Sequence, residues 1–184
     1  DRLIFEKYLP RARHIEVQVV GLQGGEVVAV GDRECSLQRR HQKVIEEAPA
    51  PNLPDEVRAA IHRAAEAVVQ KVGYLNAGTV EFVVSCDDPS EFYFLEVNTR
   101  LQVEHPVTEE VTGLDLVQIQ LQVAYAAATS TADDELTARV RAARDVGPCG
   151  HAIEARVYAE DPSAGFLPSA GPVLLAHWPS AVRV

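Results

Sequence analysis

Glu96, Asn98, Arg100, Gln102 and Glu104 occupy alternate positions of one short segment, and Leu95, Val97, Leu101 and Val103 stand between them. An extended chain sends alternate side chains to opposite faces. One face of this segment is then apolar. The other carries two carboxylates, two carboxamides and a guanidinium in a single file. Glu96 and Asn98 offer hard oxygens at the i, i+2 spacing of a strand face, which suits Mg2+, an ion that takes a few protein ligands and shares phosphate oxygens for the rest. Arg100 offers a fork for a planar carboxylate, bicarbonate or phosphate. Glu104 is a candidate general base if its surroundings tune its pKa upward. The plainer alternative is an exposed strand laced with surface ion pairs.

The rest of the chain must position that file. Residues 2–8 read as a short strand. Arg13 to Val20 alternates, with Ile15, Val17 and Val19 on one face and His14, Glu16 and Gln18 on the other. Gly24-Gly25 gives a turn and Val27 to Val30 a partner strand; no GK[ST] or helix start follows the glycines, so a phosphate loop is the weaker reading. Residues 37–44 are densely polar, and the prolines in the next piece, Ile45-Glu46-Glu47-Ala48-Pro49-Ala50-Pro51, predict that it is extended and irregular.

Asp55 is a plausible N-cap for a helix to about Val72, with Val57, Ile61, Ala65, Val68 and Val69 on its buried stripe and Gly73 closing it. Thr79 to Ser85 predicts a strand, Asp87-Asp88-Pro89-Ser90 a turn, and Glu91 to Asn98 the hairpin partner. Glu81 then lies beside Glu96. Two such charges in a core are costly unless a cation sits between them; a solvated cross-strand pair is the alternative. Asp115 caps a second helix over about Leu116 to Ala127. Residues 129–148 read as a linker with a helical turn or two in Asp133 to Ala143, and strands return at Ala152 to Tyr158 and Pro172 to Ala176. Hairpins beside helices, with few βαβ signals, indicate an α+β fold.

Composition narrows the field. The hydrophobic fraction of 47% supplies a core. A net charge of −10 argues against nucleic acid as a partner, because that needs a basic footprint. No apolar run reaches membrane-span length, so no membrane contact is expected. Cys35, Cys86 and Cys149 are far apart and form no metal spacing, which points to a reducing, cytoplasmic setting. Leu3-Ile4-Phe5 reads as mid-strand and Ala181 to Val184 as mid-element, so the chain is expected to be an excerpt of a longer polypeptide.

Six blocks in order resemble the biotin carboxylase group of the ATP-grasp superfamily. They are Glu6-Lys7-Tyr8-Leu9; Arg13 to Gln18; Cys35 to Lys43 with Glu46-Glu47-Ala48-Pro49; Ala77 to Phe82; Glu96 to Glu109; and Gly150 to Arg156 with Ala159-Glu160-Asp161. The resemblance covers nearly the whole chain. It implies the ATP-grasp catalytic subdomain, an antiparallel sheet with flanking helices, plus the start of the C-terminal domain. The implied division is 1–8 as the last strand of the lid or hinge, 9–128 as the catalytic subdomain, 129–149 as linker and 150–184 as the start of the next domain.

The implied reaction joins ATP and bicarbonate into carboxyphosphate and then carboxylates biotin, as in acyl-CoA carboxylases. By the same resemblance, Glu6, Lys7 and Leu9 meet the adenine, and His14, Gln38 and His41 lie around the ribose and phosphates. Glu81, Glu96 and Asn98 are implied ligands of Mg2+ (or Mn2+). Lys43, Arg100, Gln102 and Val103 form the implied bicarbonate pocket, Glu104 is the implied base, and Arg156 is the group that stabilises the biotin enolate. A plain strand salt bridge from Arg156 to Glu154 or Glu160 is the alternative. Implied partners are a biotin carboxyl carrier domain and a carboxyltransferase subunit, in a homo-oligomeric parent. The family's glycine-rich lid is not in this sequence, so the excerpt alone is expected to be inactive. Two rivals stand beside this reading: a ligase of the carbamoyl-phosphate synthetase type, and a non-catalytic fragment that packs on partner chains.

Overall fold

Two alternating segments joined by a tight turn set the frame. The computed structural model describes residues 3–184. β1 (Ala12–Gly21) and β2 (Val27–Arg39) pair antiparallel. Gly24 and Gly25 in their turn sit at φ +96° and +87°, angles that a Cβ disfavours. Ile15, Val17 and Val19 enter one apolar core, while Glu16 and Gln18 are buried on the other face, as the period-two pattern predicts. β2 runs on past Val30 to Arg39, turns at Arg40 and His41, and returns as β3 (Gln42–Ala48). The piece expected to be irregular is therefore a paired strand up to Ala48; the prolines act only beyond it.

α1 (Asp55–Lys71) covers the first face, burying Val57, Ile61, Ala65 and Val69; Val68 is only half-buried. Pro54 holds the N-cap position, so Asp55 is the first helical residue rather than the cap, with its charge at the positive end of the helix dipole. Gly73, at φ +63°, follows the helix end. β4 (Asn76–Ser85) and β5 (Phe92–Asn98) form the second hairpin.

That hairpin contains a phase change. Glu81 faces Glu96, yet Phe82 faces Phe94, so Leu95 is an extra residue in the ladder. Strict alternation would put Phe92, Phe94, Glu96 and Asn98 on one face. The bulge instead lets Phe92 and Phe94 meet Phe82 edge-on, with ring centroids 5.9 and 6.4 Å apart, while Glu96 and Asn98 turn to the opposite side.

The strand order is β5-β4-β1-β2-β3-β6, all pairs antiparallel, with β6 (Ala152–Ala155) joined to β3. On the second face, α3 (Leu116–Thr129) and α4 (Asp134–Val146) bury Leu116, Ile119, Val123, Leu136 and Val140 against Val20, Leu22, Val28 and Val30. Asp115 caps α3, accepting from the Gln118 amide at 2.7 Å, and Asp133 caps α4, accepting from Leu136 at 2.8 Å. The helical turn or two expected within Asp133 to Ala143 is thus a full packed helix rather than part of a linker; its Ala, Arg and Asp residues hid its extent, because only Leu136 and Val140 are buried.

α2 (His105–Thr112) was hidden by the assumption that the polar file stays extended to Glu104. The strand ends at Asn98, and Glu104 is the N-cap position of α2. Three further expectations fail. No strand forms over the described residues 3–9, and Asp1 and Arg2 lie outside the described residues. The strand from Ala152 stops at Ala155. No strand forms over 172–176; a two-residue ladder joins β7 (Glu160–Asp161) and β8 (Leu167–Pro168) instead.

Candidate active site

Five strands and the loop after β5 converge on a cleft of about 520 Å³ at the polar end of the second sheet face. β1 supplies His14, and the β2–β3 region supplies Gln38, His41 and Lys43. β4 and β5 supply Glu81, Glu96 and Asn98. The loop after β5 supplies Arg100, Gln102, Val103 and Glu104, and Arg156 arrives from the residue after β6.

The two carboxylates of the β4–β5 hairpin stand in register. The Asn98 carboxamide donates to Glu81 at 2.9 Å and to Glu96 at 3.2 Å. Glu81 is buried and Glu96 is exposed at the cleft. Rotating the Asn98 amide by half a turn would present its oxygen beside both carboxylates, giving an all-oxygen donor set. Such a set fits Mg2+ or Mn2+.

Behind it lies a buried charge network. Arg33 is fully buried and uses its whole fork. It donates to Glu16 at 3.1 and 3.3 Å, to Gln18 at 2.8 Å, to Thr108 at 2.9 Å, to Thr79 at 3.2 Å and to Gln102 at 2.9 Å. Gln102 passes its own N–H to Glu81 at 2.8 Å. Lys43 contacts Glu16, Glu81 at 3.0 Å and Glu104 at 2.6 Å. Burial opposes charge on these groups, but the partners outweigh it: Glu16 and Glu81 are held below the usual carboxylate range, and Lys43 is raised by Glu16 and Glu104. His14 lies 2.7 Å from Glu81 and 3.2 Å from Glu16. Burial disfavours its imidazolium, yet the two carboxylates raise it to about 9, so it is charged at neutral pH.

Glu104 is 2% exposed and is held from both sides, by Lys43 at 2.6 Å and by Arg156 at 2.8 Å. Arg156 also lies 2.6 Å from Glu46. It pairs with neither Glu154 nor Glu160; the latter takes Arg39. Arg100 faces the cleft with no carboxylate partner among the described residues, bonded only to the Leu101 carbonyl at 3.3 Å. Its fork is therefore available to an anion.

The structure brings twelve of the expected site residues to this cleft: His14, Gln38, His41, Lys43, Glu81, Glu96, Asn98, Arg100, Gln102, Val103, Glu104 and Arg156. Gln102 turns most of its amide inward to Arg33 and Glu81, so it braces the wall. Leu95 also lines the cleft, brought there by the bulge, whereas the alternation had placed it on the apolar face. Glu6, Lys7 and Leu9 do not line it; Lys7 bonds Tyr93 and Glu91 at the far end of the hairpin. Sequence reasoning gave no role to Arg33, Glu16 or Glu46. Glu16 stood in the polar file of β1, which was the available signal. Arg33 had none, because a buried arginine in a polar stretch looks like a solvated one.

Comparison with known proteins follows the same lines. The family described as "Carbamoyl-phosphate synthase L chain, ATP binding domain" matches residues 1–131. The chain is 48% identical over 181 residues to the mitochondrial methylcrotonoyl-CoA carboxylase subunit alpha of Mus musculus, covering 98% of this chain and 24% of that protein. It is 52% identical over 171 residues to biotin carboxylase 2 of Bacillus subtilis (strain 168), covering 93% and 36%. The chain thus spans between a quarter and about a third of the length of these curated relatives. Among solved structures, Kluyveromyces lactis urea carboxylase superposes with a TM-score of 0.80 at 47% identity, covering 95% of this chain and 14% of that one. The biotin carboxylase domain of Hydrogenobacter thermophilus 2-oxoglutarate carboxylase, in complex with MgADP, ADP and bicarbonate, superposes with a TM-score of 0.80 at 38% identity, covering 96% and 36%.

Proposed function

The chain belongs to the carbamoyl-phosphate synthase L chain ATP-binding domain family, and from that premise we propose that it is the metal- and bicarbonate-binding part of a biotin carboxylase. In this reading the parent enzyme cleaves ATP with bicarbonate to give carboxyphosphate and carboxylates biotin on a carrier domain, as a component of an acyl-CoA carboxylase. The observation that carries it is Glu104 clamped between Lys43 and Arg156 in the cleft that also holds Glu81, Glu96, Asn98 and the unpaired Arg100 fork.

Each residue then has a task. Glu81, Glu96 and Asn98 would hold Mg2+ or Mn2+, which supplies charge neutralisation of the ATP phosphates. Arg100 binds bicarbonate by two parallel hydrogen bonds. Glu104 accepts the bicarbonate proton on a lone pair left free by its two cations. Lys43 keeps that carboxylate aimed, and with His14 adds positive charge toward the phosphates. Catalysis of phosphoryl transfer is mainly positioning and charge stabilisation, which this wall provides from one side. Arg156 serves the second half-reaction, at the ureido oxygen of biotin. Gln38 and His41 lie at the rim, where ribose or phosphate would pass.

We keep the division at 1–8, 9–128, 129–149 and 150–184, with β6 as the strand by which the last segment docks on the sheet. A carboxyl carrier domain, a carboxyltransferase subunit and a homo-oligomeric parent complete the proposal. No helix of the described residues is long and apolar enough to cross a membrane, and three unpaired cysteines support the reducing, cytoplasmic setting. A ligase of the carbamoyl-phosphate synthetase type is the second reading, favoured by the name of the matched family. Arg156, beyond the matched residues and aimed at Glu104, speaks for the biotin branch.

The test uses the full-length parent. Labelled bicarbonate should be incorporated into free biotin in an ATP-dependent reaction. ATP cleavage that ignores biotin but responds to ammonia or glutamine would favour the second reading and sink the first.

A further inference from the structure

Behind Arg156, away from the cleft, two carboxyls face each other. Glu46 on β3 and Glu154 on β6 are register partners. Glu46 is fully buried and Glu154 half-buried. Arg156 Nε lies 2.6 Å from Glu46, yet its N–H is not aimed along that contact. Both Glu46 oxygens, one Glu154 oxygen and the Arg156 Nε are buried without an aligned hydrogen-bond partner. An ionised carboxylate can only accept, and two facing carboxylates away from water do not both ionise cheaply.

The charged groups that bear on the pair are Arg156 and Glu104 at the cleft, Glu16 on β1 and Arg33 on β2. α2 packs on this region through Val107 and Val111, against Ala48 and Ala152. Its Glu109 is taken by the Leu116 amide and by Arg183. Lys43 already serves Glu104 and Arg33 is committed to Glu16, so Arg156 is the one cation left to Glu46 and Glu154.

We infer that Glu46 and Glu154 are positioning residues for Arg156, sharing one proton so that the guanidinium is held in place without being fully neutralised. Arg156 then keeps charge for a polarised oxygen of the second substrate. This inference rests on the biotin carboxylase reading of the cleft. The electrostatics agree with it: burial first, then the facing Glu46, push Glu154 up to about 7, and burial raises Glu46 as well. A carboxyl raised in this way keeps its proton below that value and loses it above. When the pair loses its proton, a second negative charge stands behind Arg156, which then attracts an anionic oxygen less.

The experiment uses full-length parent enzyme with free biotin. The biotin-dependent rate of the wild type should fall as pH rises through about 7, and Glu154→Gln, which fixes the charge of the singly protonated pair, should remove that fall. The ratio of rates at about pH 8.5 and about pH 6.5 should rise about threefold or more in the variant. The same ratio for bicarbonate-dependent ATP cleavage without biotin should stay put. Glu46→Ala should raise KM for biotin about tenfold, and Glu46→Gln should recover most of it, which a general packing defect would not do. A protonated-carboxyl band in the infrared spectrum should be present at the lower pH, lost at the higher, and absent from Glu154→Gln. A pH profile unchanged in Glu154→Gln, or no such band, overturns the inference. If the wild type shows no bicarbonate-dependent ATP cleavage, the reading of the cleft falls instead, and the infrared band alone decides on the pair.

Discussion

Glu81 and Glu96 stand directly opposite one another across β4 and β5, and the carboxamide of Asn98 donates to both. Two carboxylates in register normally repel. Here Lys43 and His14 offset the charge of Glu81, while Glu96 has only the amide. Glu96→Gln should therefore weaken Mn2+ binding in the presence of nucleotide by about tenfold or more while leaving the melting temperature nearly unchanged. Electron paramagnetic resonance of Mn2+ reads the first quantity directly. Unchanged metal affinity would remove Glu96 from the ligand set.

Glu104 and Arg156 touch, but their losses should separate. In the full-length enzyme, Glu104→Gln should cut bicarbonate-dependent ATP cleavage by about 10²–10⁴-fold with nucleotide affinity nearly intact. Arg156→Ala should spare that cleavage and impair transfer to biotin. Reduced ATP affinity with unaltered chemistry in Glu104→Gln would contradict its assignment as the base. Equal loss of both half-reactions in Arg156→Ala would give Arg156 a structural role.

Arg33 carries a different risk, because it is fully buried and bonded to Glu16. Arg33→Met takes one of three cations from Glu16, leaving Lys43 and His14, and removes the donors to Gln18, Thr79, Thr108 and Gln102; it should cost about 3–5 kcal/mol in urea denaturation. Arg33→Lys should recover only part, since an ammonium cannot reproduce the fork. Adding Glu16→Gln to Arg33→Met should cost less than the sum of the two single changes.

Asp32 ties α1 to the sheet. It accepts from the Ala50 amide at 2.8 Å, contacts Arg58 and lies 2.9 Å from His62. Burial raises its pKa, but His62 and Arg58 outweigh burial and the net shift is downward. A depressed carboxyl contributes stability above its unfolded value of 3.8 and loses it as pH falls through the lower folded value. Asp32→Asn should then destabilise by about 2–4 kcal/mol at neutral pH, and the gap to wild type should close below about pH 4. A gap independent of pH would mean that the contact is not electrostatic.

Much of this was legible in the sequence because it is periodic. The β1–β2 and β4–β5 hairpins, the α1 stripe and the pairing of Glu81 with Glu96 follow from alternation and turn residues. Illegible parts have physical reasons. The full length of α4 hides because only Leu136 and Val140 of its thirteen residues are buried. α2 hides because it starts at His105, directly after an alternating file that reads as extended to Glu104. Arg33 and Glu46 hide because burial of a charge depends on partners distant in sequence, Glu16 and Arg156 among them. The N-terminal residues expected at the adenine, Glu6, Lys7 and Leu9, stand away from the cleft because no strand forms there to carry them inward.

The extra residue at Leu95 behaves as a reading-frame device within the sheet. Before it, half-buried Phe92 and exposed Phe94 lie on the side of Phe82; after it, Glu96 and Asn98 reach the cleft. The bulge thus joins two grammatically incompatible halves, a phenylalanine ladder and an acid–amide pair, without a second turn. What matters at this position is that a residue is present at all, more than which one it is. Many replacements should pass unnoticed by selection, whereas loss of a single codon there would force the aromatic rings and the acidic groups to compete for one side of the sheet.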